Sequence, residues 1–232
     1  MEFKGFDARH YPTLGVSEGY DAWAHSYDSV VQDEMDLRLL ARLTIDWAGS
    51  GRVIDLACGT GRIGQWLRAR GVARIDGIDF TAAMLERARE RNIYDRLSKG
   101  DVRATGLPAG HYDLALQVLA DEHLPDLGPL YREAARITAA GGRFVLVGYH
   151  PHFLMYGIPT HFDREDGQAV AIESYVHLLS DHVKAAHASG WTLLELEEGL
   201  VDEDWLAKKP KWAKYRNHPV SFAMVWRRDR TP

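Results

Sequence analysis

Residues 52–67 read RVIDLACGTGRIGQWL: a compact apolar run, a glycine-rich turn and the start of an amphipathic segment. Gly59, Gly61 and Gly64 fall in the spacing GxGxxG. After a strand and before a helix, such glycines form a turn whose backbone can approach a nucleotide closely. The stretch predicts a buried strand over 52–57, then a helix over 61–70 with Ile63, Trp66 and Leu67 on its inner side. Gly64 is read as packing clearance that completes the pattern by accident. Which adenosine cofactor the turn serves depends on the charges around it.

Working outward, strands and helices alternate. ARIDGID (73–79) predicts a second strand, and Thr81 caps a helix with Met84, Leu85 and Ala88 inside. RLSKGD (96–101) and YDLALQVL (112–119) predict the third and fourth strands. LGPLYREAARITAA (127–140) reads as a helix stopped by Gly141-Gly142, and RFVLVGY (143–149) as the fifth strand. Strands separated by helices form βαβ units, hence a mostly parallel sheet covered on both faces. Further on, SDHVKAAHASG (180–190) predicts a helix, and WTLLELEEGLV (191–201) and VSFAMVWRR (220–228) two last strands. Their connection reads as too short and proline-marked for a crossover helix, so they are expected to lie antiparallel.

Upstream, residues 17–48 read as helical. Tyr20, Trp23, Ala24 and Tyr27 share one face, and Leu39, Leu43 and Trp47 continue in i+4 steps on a second helix. The expected organisation is one domain over 1–232. Residues 1–50 form a helical lid, 51–149 the cofactor core, 150–179 an irregular acceptor-side insertion and 180–232 the rest of the sheet.

The charges bear on the cofactor. Asp55 lies four residues before Gly59. A carboxylate beside a pyrophosphate is repulsive; beside an ammonium and a sulfonium it is attractive, as in S-adenosylmethionine (SAM). Asp79 closes the second strand, 18 residues after Gly61, where a carboxylate can take both ribose hydroxyls. Asp101 closes the third, where its carboxylate and the Val102 amide can read an adenine edge. A nicotinamide-dependent oxidoreductase is the alternative. Short-chain reductases also need a Tyr-x-x-x-Lys pair, and none of the ten tyrosines has a lysine four residues later.

With these residues the chain resembles class I SAM-dependent methyltransferases. VIDLACGTG, GIDFTAAML, GDV and REAARITAAGGRFVLV match successive family motifs, and YDAWAHSYD is similar to the start of the ubiquinone/menaquinone-biosynthesis branch (methyltransferase type 11/25). The resemblance covers residues 20–150 and implies a Rossmann-like, doubly wound seven-stranded sheet, mostly parallel with an antiparallel last strand, plus N-terminal helices. It implies that Ala57, Gly59 and Gly61 back the methionine end of SAM, that Asp79 and Phe80 flank the ribose, and that Asp101 and Val102 hold the adenine. It places Tyr27 near the methionine carboxylate, Met84 against the adenine face and Gln117 on the methionine side.

Methyl transfer needs a nucleophile held in line, and a base where a proton must leave. His123, in ADEHLPDL after the fourth strand, and His150, in the insertion with His152, His161 and His177, are the base candidates. A metal on His150, His152 and His161 lacks supporting cysteine or carboxylate spacing, so none is expected. The aromatic face of Tyr20, Trp23 and Tyr27 reads either as a lid over SAM or as a helix buried on the domain. WLAKKPKWAKYR (205–216) reads either as a clamp for an anionic acceptor or as tryptophans packed on the sheet with wet lysines.

Of the 232 residues 46% are hydrophobic and 26% charged, ordinary for a globular core. Net charge is −5, so nucleic acid is a disfavoured partner. The one cysteine, Cys58, fits a reducing compartment. The N-terminal stretch shows no signal-like apolar run and no stretch is long enough to span a bilayer, so a cytoplasmic protein without a membrane partner is expected. The expected partner is a small-molecule acceptor methylated on oxygen or carbon, with nitrogen as the further alternative and a homodimer left open. A SAM-binding module without catalysis is the third reading.

Overall fold

The computed structural model describes residues 1–31 and 34–229. The N-terminal segment holds β1 (Thr13–Leu14), α1 (Val16–Trp23), α2 (Tyr27–Val30) and α3 (Met35–Arg42). The core then runs β2 (Arg52–Leu56), α4 (Arg62–Ala69), β3 (Arg74–Asp79), α5 (Ala82–Arg91), β4 (Arg96–Lys99) and β5 (Tyr112–Val118). It continues through α6 (Gly128–Ile137) and β6 (Thr138–Tyr149) to α7 (Pro151–Leu154), β7 (His161–Asp163) and β8 (Ala169–Ile172). The chain closes with α8 (Leu179–His187), β9 (Trp191–Leu200), α9 (Glu203–Lys208) and β10 (Pro219–Arg228).

Seven strands form one sheet in the order β4-β3-β2-β5-β6-β10-β9. The first five are mutually parallel, and β10 runs antiparallel to both β6 and β9. This is the Rossmann-like sheet with an antiparallel last strand that the motifs imply. Both faces are apolar because the strands alternate large side chains. Ile54, Phe144, Leu146, Phe222 and Met224 pack with α6 and α8, whereas Val53, Val145, Val147, Ala223 and Val225 pack with α3 and α4.

A second sheet, β1-β8-β7, was not legible beforehand. It joins the N-terminus to the insertion: Thr13 pairs with Ala171 in parallel and Phe162 with Val170 antiparallel. Trp23 of α1 stacks on Phe162 at 5.3 Å, and Gly19 leaves room for Ile172. The insertion is therefore ordered against the N-terminal helices.

Two boundaries differ from expectation. The second N-terminal helix ends at Arg42; Leu43 is extended, and Thr44 donates its N–H to Glu195. Trp47 lies in the following loop, edge-on to Trp66 at 5.0 Å, so its i+4 spacing is not helical. The 17–48 stretch also crosses residues 32 and 33, which lie outside the described residues. Lastly, α6 ends at Ile137, before Gly141-Gly142. Thr138 already pairs with Tyr112, and the glycines sit inside a bulged strand start where a Cβ on Gly142 would meet the Asp113 carbonyl at 2.9 Å.

Candidate active site

From β2 the chain winds outward through β3 to β4, then returns to lay β5 and β6 on the other side of β2. The strand order therefore reverses between β2 and β5, where open α/β sheets bind ligands beyond their carboxyl ends. Both loops there begin on a non-glycine residue at positive φ, Ala57 at 58° and Leu119 at 52°. That backbone region costs an L-residue about 1–2 kcal/mol. It turns both loops sharply away from the sheet, and a cavity of about 190 Å³ opens between them.

Ala57, Cys58, Gly59 and Thr60 from the first loop line this cavity. Gly59 has φ +53°, and a Cβ built on it would meet no protein atom within 4 Å. The space above it is the cavity itself. Asp79, Phe80, Thr81 and Met84 form a second wall, and Asp101, Val102 and Arg103 a third. Tyr20 and Tyr27 cover it from the N-terminal helices, and Leu119, Ala120, His123 and Leu124 close the side of the second loop.

The Asp79 carboxylate is buried and accepts the Gly59 N–H and the Thr81 N–H, each at 2.8 Å. Burial pushes its pKa up and those bonds hold it down. The carboxylate also lines the cavity, where it can accept from a neighbouring diol. Asp101 is gripped by the Arg103 guanidinium at 2.6 Å, which holds its pKa below the usual carboxylate range. Arg103 was not anticipated, although its position two residues after an acid at a strand end was readable.

Of the residues singled out from sequence, Tyr27, Ala57, Gly59, Asp79, Phe80, Met84, Asp101, Val102 and His123 line this cavity. Four others do not. Asp55 is buried under α4 and accepts the Tyr94 hydroxyl at 2.6 Å, so it faces the packing between the turn and Tyr94. Its burial pushes the carboxyl pKa up to about 7. Gly61 is the N-cap of α4 at φ +87°, set against Tyr94 and Arg91. Gln117 is fully buried, and its amide oxygen, turned toward the donors, accepts the Ala120 and Asp121 N–H groups. It shapes the second loop from beneath.

His150, the fourth, lies outside the cavity. Its Nε2 meets Glu198 at 2.9 Å and its Nδ1 caps α7 by accepting the His152 N–H at 3.1 Å. The other insertion histidines also disperse: His152 to Tyr156, His161 to the Pro159 carbonyl, His177 to the Leu124 carbonyl. Among the described residues no three His, Cys, Asp or Glu side chains are grouped to hold a metal ion. Nor does any described helix have the length and apolarity to cross a membrane.

His123 is buried. Its Nδ1 lies 2.7 Å from the Glu173 carbonyl, which only accepts, so Nδ1 carries the proton of the neutral ring. Nε2 is then the acceptor, and the Tyr20 hydroxyl donates to it at 2.8 Å. Glu122 Oε1 lies 3.5 Å from the same nitrogen. Tyr20 is buried, which raises its pKa well above the ordinary value and keeps its hydroxyl protonated in the free protein.

Tyr20 also borders a second cavity of about 320 Å³. The two cavities share Tyr20, Tyr27 and Leu119. The second is otherwise walled by Trp23, Tyr149, Phe153, Phe162, Trp205 and Trp212, with Glu122, Lys209 and Lys211 among its polar groups. The site thus has two rooms that adjoin at this shared wall.

A family model described as a methyltransferase domain matches residues 54–146, from β2 through β6. A malonyl-[acyl-carrier protein] O-methyltransferase from Halorhodospira halophila is 31% identical over 202 residues, 84% of this chain and 64% of the relative. Residues 54–146 thus form a methyltransferase domain, and the chain is similar to SAM-dependent methyltransferases. The solved structure of a SAM-dependent methyltransferase from Mesorhizobium loti aligns with this chain at a TM-score of 0.70 and 22% identity, covering 85% of this chain and 99% of that one. A DhpI–SAH complex aligns at 0.66 and 21%, covering 90% and 93%. These two show the shared methyltransferase fold. Three of the curated relatives are spanned by this chain over 64%, 47% and 47% of their lengths.

The first room fits the family's cofactor on this structure's own terms. It offers a glycine with open space where a Cβ would stand, a buried carboxylate on its wall, and apolar walls of Met84, Val102 and Leu124.

Proposed function

We propose that this protein transfers a methyl group from SAM to a proton-bearing oxygen of a small molecule held in the second cavity. The Tyr20–His123 hydrogen bond carries this reading, because it stands where the two cavities meet. Bound in the first cavity, SAM supplies an electrophilic methyl group. Asp79 would take the ribose hydroxyls, Asp101 and the Val102 amide the adenine edge, and Met84 the adenine face. Gly59 would leave room for the methionine portion and Tyr27 would cover it.

As the acceptor oxygen becomes a nucleophile its proton passes to Tyr20 Oη while the Tyr20 proton moves to His123 Nε2. Tyr20 ends neutral and His123 ends as imidazolium, faced by Glu122. This concerted passage avoids a buried tyrosinate, which the desolvation of Tyr20 disfavours. A positioned acid–base pair of this type contributes roughly 10²–10⁴-fold in rate.

Residues 1–50 with 150–179 act together as the lid, since both strands of the insertion's sheet pair with or pack on the N-terminal segment. Two charge contacts tie the lid helices to the cofactor turn. The buried Asp36 pairs with Arg62, and Asp28 takes the Thr60 hydroxyl at 2.7 Å and Arg91 at 2.6 Å. Transfer of labelled methyl from SAM into fractionated metabolite pools tests the activity. Label appearing in an ether or ester product supports it; none appearing with SAM-binding protein contradicts it.

A further inference from the structure

After β5 the chain makes a 3₁₀ turn, Asp121–His123, whose three side chains are all ionisable and all buried. His123 lines the cofactor cavity, Glu122 lines the second cavity, and Asp121 lines neither. The Asp121 carboxyl group lies instead over Gly148 of β6, where a Cβ would meet its two oxygens at 2.7 and 2.8 Å. The missing side chain of Gly148 gives the carboxyl group its place on the sheet. In a 3₁₀ turn successive side chains diverge by about 120°, so fixing the direction of one fixes the other two.

Buried groups from two helices reach Asp121. The fully buried His182 of α8 brings its Nε2 to 3.5 Å from Asp121 Oδ2, and its Nδ1 lies 3.1 Å from the hydroxyl of Tyr131 in α6. Phe222 of β10 stands edge-on to the same imidazole at 5.1 Å. Burial, with the Glu122 charge beside it, pushes the Asp121 carboxyl well above its ordinary pKa, and burial pushes His182 down to about 3. The acid keeps its proton and the imidazole stays neutral, so the two meet without net charge. Asp121 Oδ1 has no hydrogen-bond partner among the described residues. A buried polar atom left in that state costs stability. What the side chain contributes is then placement, since a polar group held at one spot in a core specifies one arrangement of the chain around it.

The backbone of the turn is held separately. Gln117 accepts the Ala120 and Asp121 N–H groups from beneath, the Tyr175 N–H donates to the Glu122 carbonyl at 2.6 Å, and His177 Nε2 donates to the Leu124 carbonyl at 2.7 Å. Of the three side chains in the turn, Asp121 is the one that reaches α8.

We propose that Asp121, seated over Gly148 and against His182, is a positioning residue for methyl transfer: it sets the rotation of the turn at which His123 meets Tyr20 and Glu122 faces the acceptor cavity. This rests on the relay reading of Tyr20 and His123.

Imidazole nitrogen NMR spectra of the full chain saturated with S-adenosylhomocysteine test it, with His123 assigned by its absence in His123→Asn. In the parent, His123 is expected as a single tautomer protonated at Nδ1, with an Nε2 signal that moves in Tyr20→Phe. Asp121→Ala and His182→Phe are each expected to lose that single tautomer. Asp121→Asn keeps the size, an acceptor oxygen and a donor toward His182, and is expected to retain it. S-adenosylhomocysteine affinity should stay within about twofold in all three variants. An unchanged His123 signal in folded Asp121→Ala and His182→Phe overturns the inference, as does loss of the tautomer in Asp121→Asn or a larger loss of S-adenosylhomocysteine affinity. Failure of both Asp121→Ala and His182→Phe to fold assigns the pair to stability and overturns it too. A parent without that single tautomer, or an Nε2 signal unmoved by Tyr20→Phe, would instead overturn the relay on which the inference rests.

Discussion

The Tyr20 hydroxyl donates to His123 Nε2 at 2.8 Å, although the two residues lie 103 positions apart. One comes from the N-terminal helix and the other from the loop after β5, so their contact forms only when the lid sits on the sheet. Tyr20→Phe is expected to leave S-adenosylhomocysteine affinity within about twofold and to slow turnover by about 10–100-fold. His123→Asn should act similarly, and the double variant should be no slower than the worse single, because one relay is broken either way. Independent, multiplicative losses in single-turnover rates would contradict a relay.

Asp79 is the carboxylate with both oxygens already anchored by backbone N–H groups and still open to the cavity. Hydrogen bonds to a charged group are worth about 1.5–3 kcal/mol each. Asp79→Asn is therefore expected to weaken S-adenosylhomocysteine by at least about tenfold, and Asp79→Ala by on the order of a hundredfold. Calorimetry reads this directly; unchanged affinity in both removes Asp79 from the ligand.

Gly59 separates a folding defect from a binding defect. With φ at +53° and nothing within 4 Å of a built Cβ, Gly59→Ala should lower stability by only about 1 kcal/mol, the cost of the left-handed backbone. Gly59→Val fills the room expected for the cofactor, and S-adenosylhomocysteine binding should be lost while the thermal transition stays cooperative. Normal binding by the valine variant would refute the placement.

Asp55 supplies a pH test. Burial raises its folded pKa from 3.8 to about 7. Between those values the folded state holds a proton that the unfolded state has released, so stability falls as pH rises from about 4 to about 7 and is flat above, by on the order of 1.4 kcal/mol per pH unit at most. His182, buried with its pKa lowered to about 3, acts oppositely: its contribution is lost as pH falls below 6.5. The difference between Asp55→Asn and the parent isolates Asp55. The variant should gain relative stability steadily across that window in denaturant titrations; a flat difference would show that Asp55 does not hold a proton in the fold.

The parallel core was legible because its strands carry their own signal. Val53 and Ile54, or Val145 and Leu146, are apolar on both parities, as a sheet covered on two faces requires. The glycine turn and the acids at the strand ends were equally local. Asp55 misled because, inside a strand, side-chain direction is set by parity. It points to the same side as Val53, under α4, where only the fold reveals Tyr94. Trp47 misled because an i+4 step carries no backbone information once Leu43 leaves the helix. The small sheet was hidden because β1, β7 and β8 span two to four residues each, and Thr13 meets Ala171 only through the tertiary fold. The Tyr20–His123 pair was hidden for the same reason. Its two members were visible separately, as a helix face and as a loop histidine, but no spacing rule joins them.

In the proposed arrangement the cofactor and the acceptor occupy two adjoining cavities that share Tyr20 and Tyr27. A crystal structure of the protein with S-adenosylhomocysteine tests it most directly. The ribose hydroxyls are expected on Asp79, the adenine against Met84, and the sulfur directed toward Tyr20 and Tyr27. A ligand seated in the aromatic chamber, or one whose sulfur faces away from Tyr20, would contradict it.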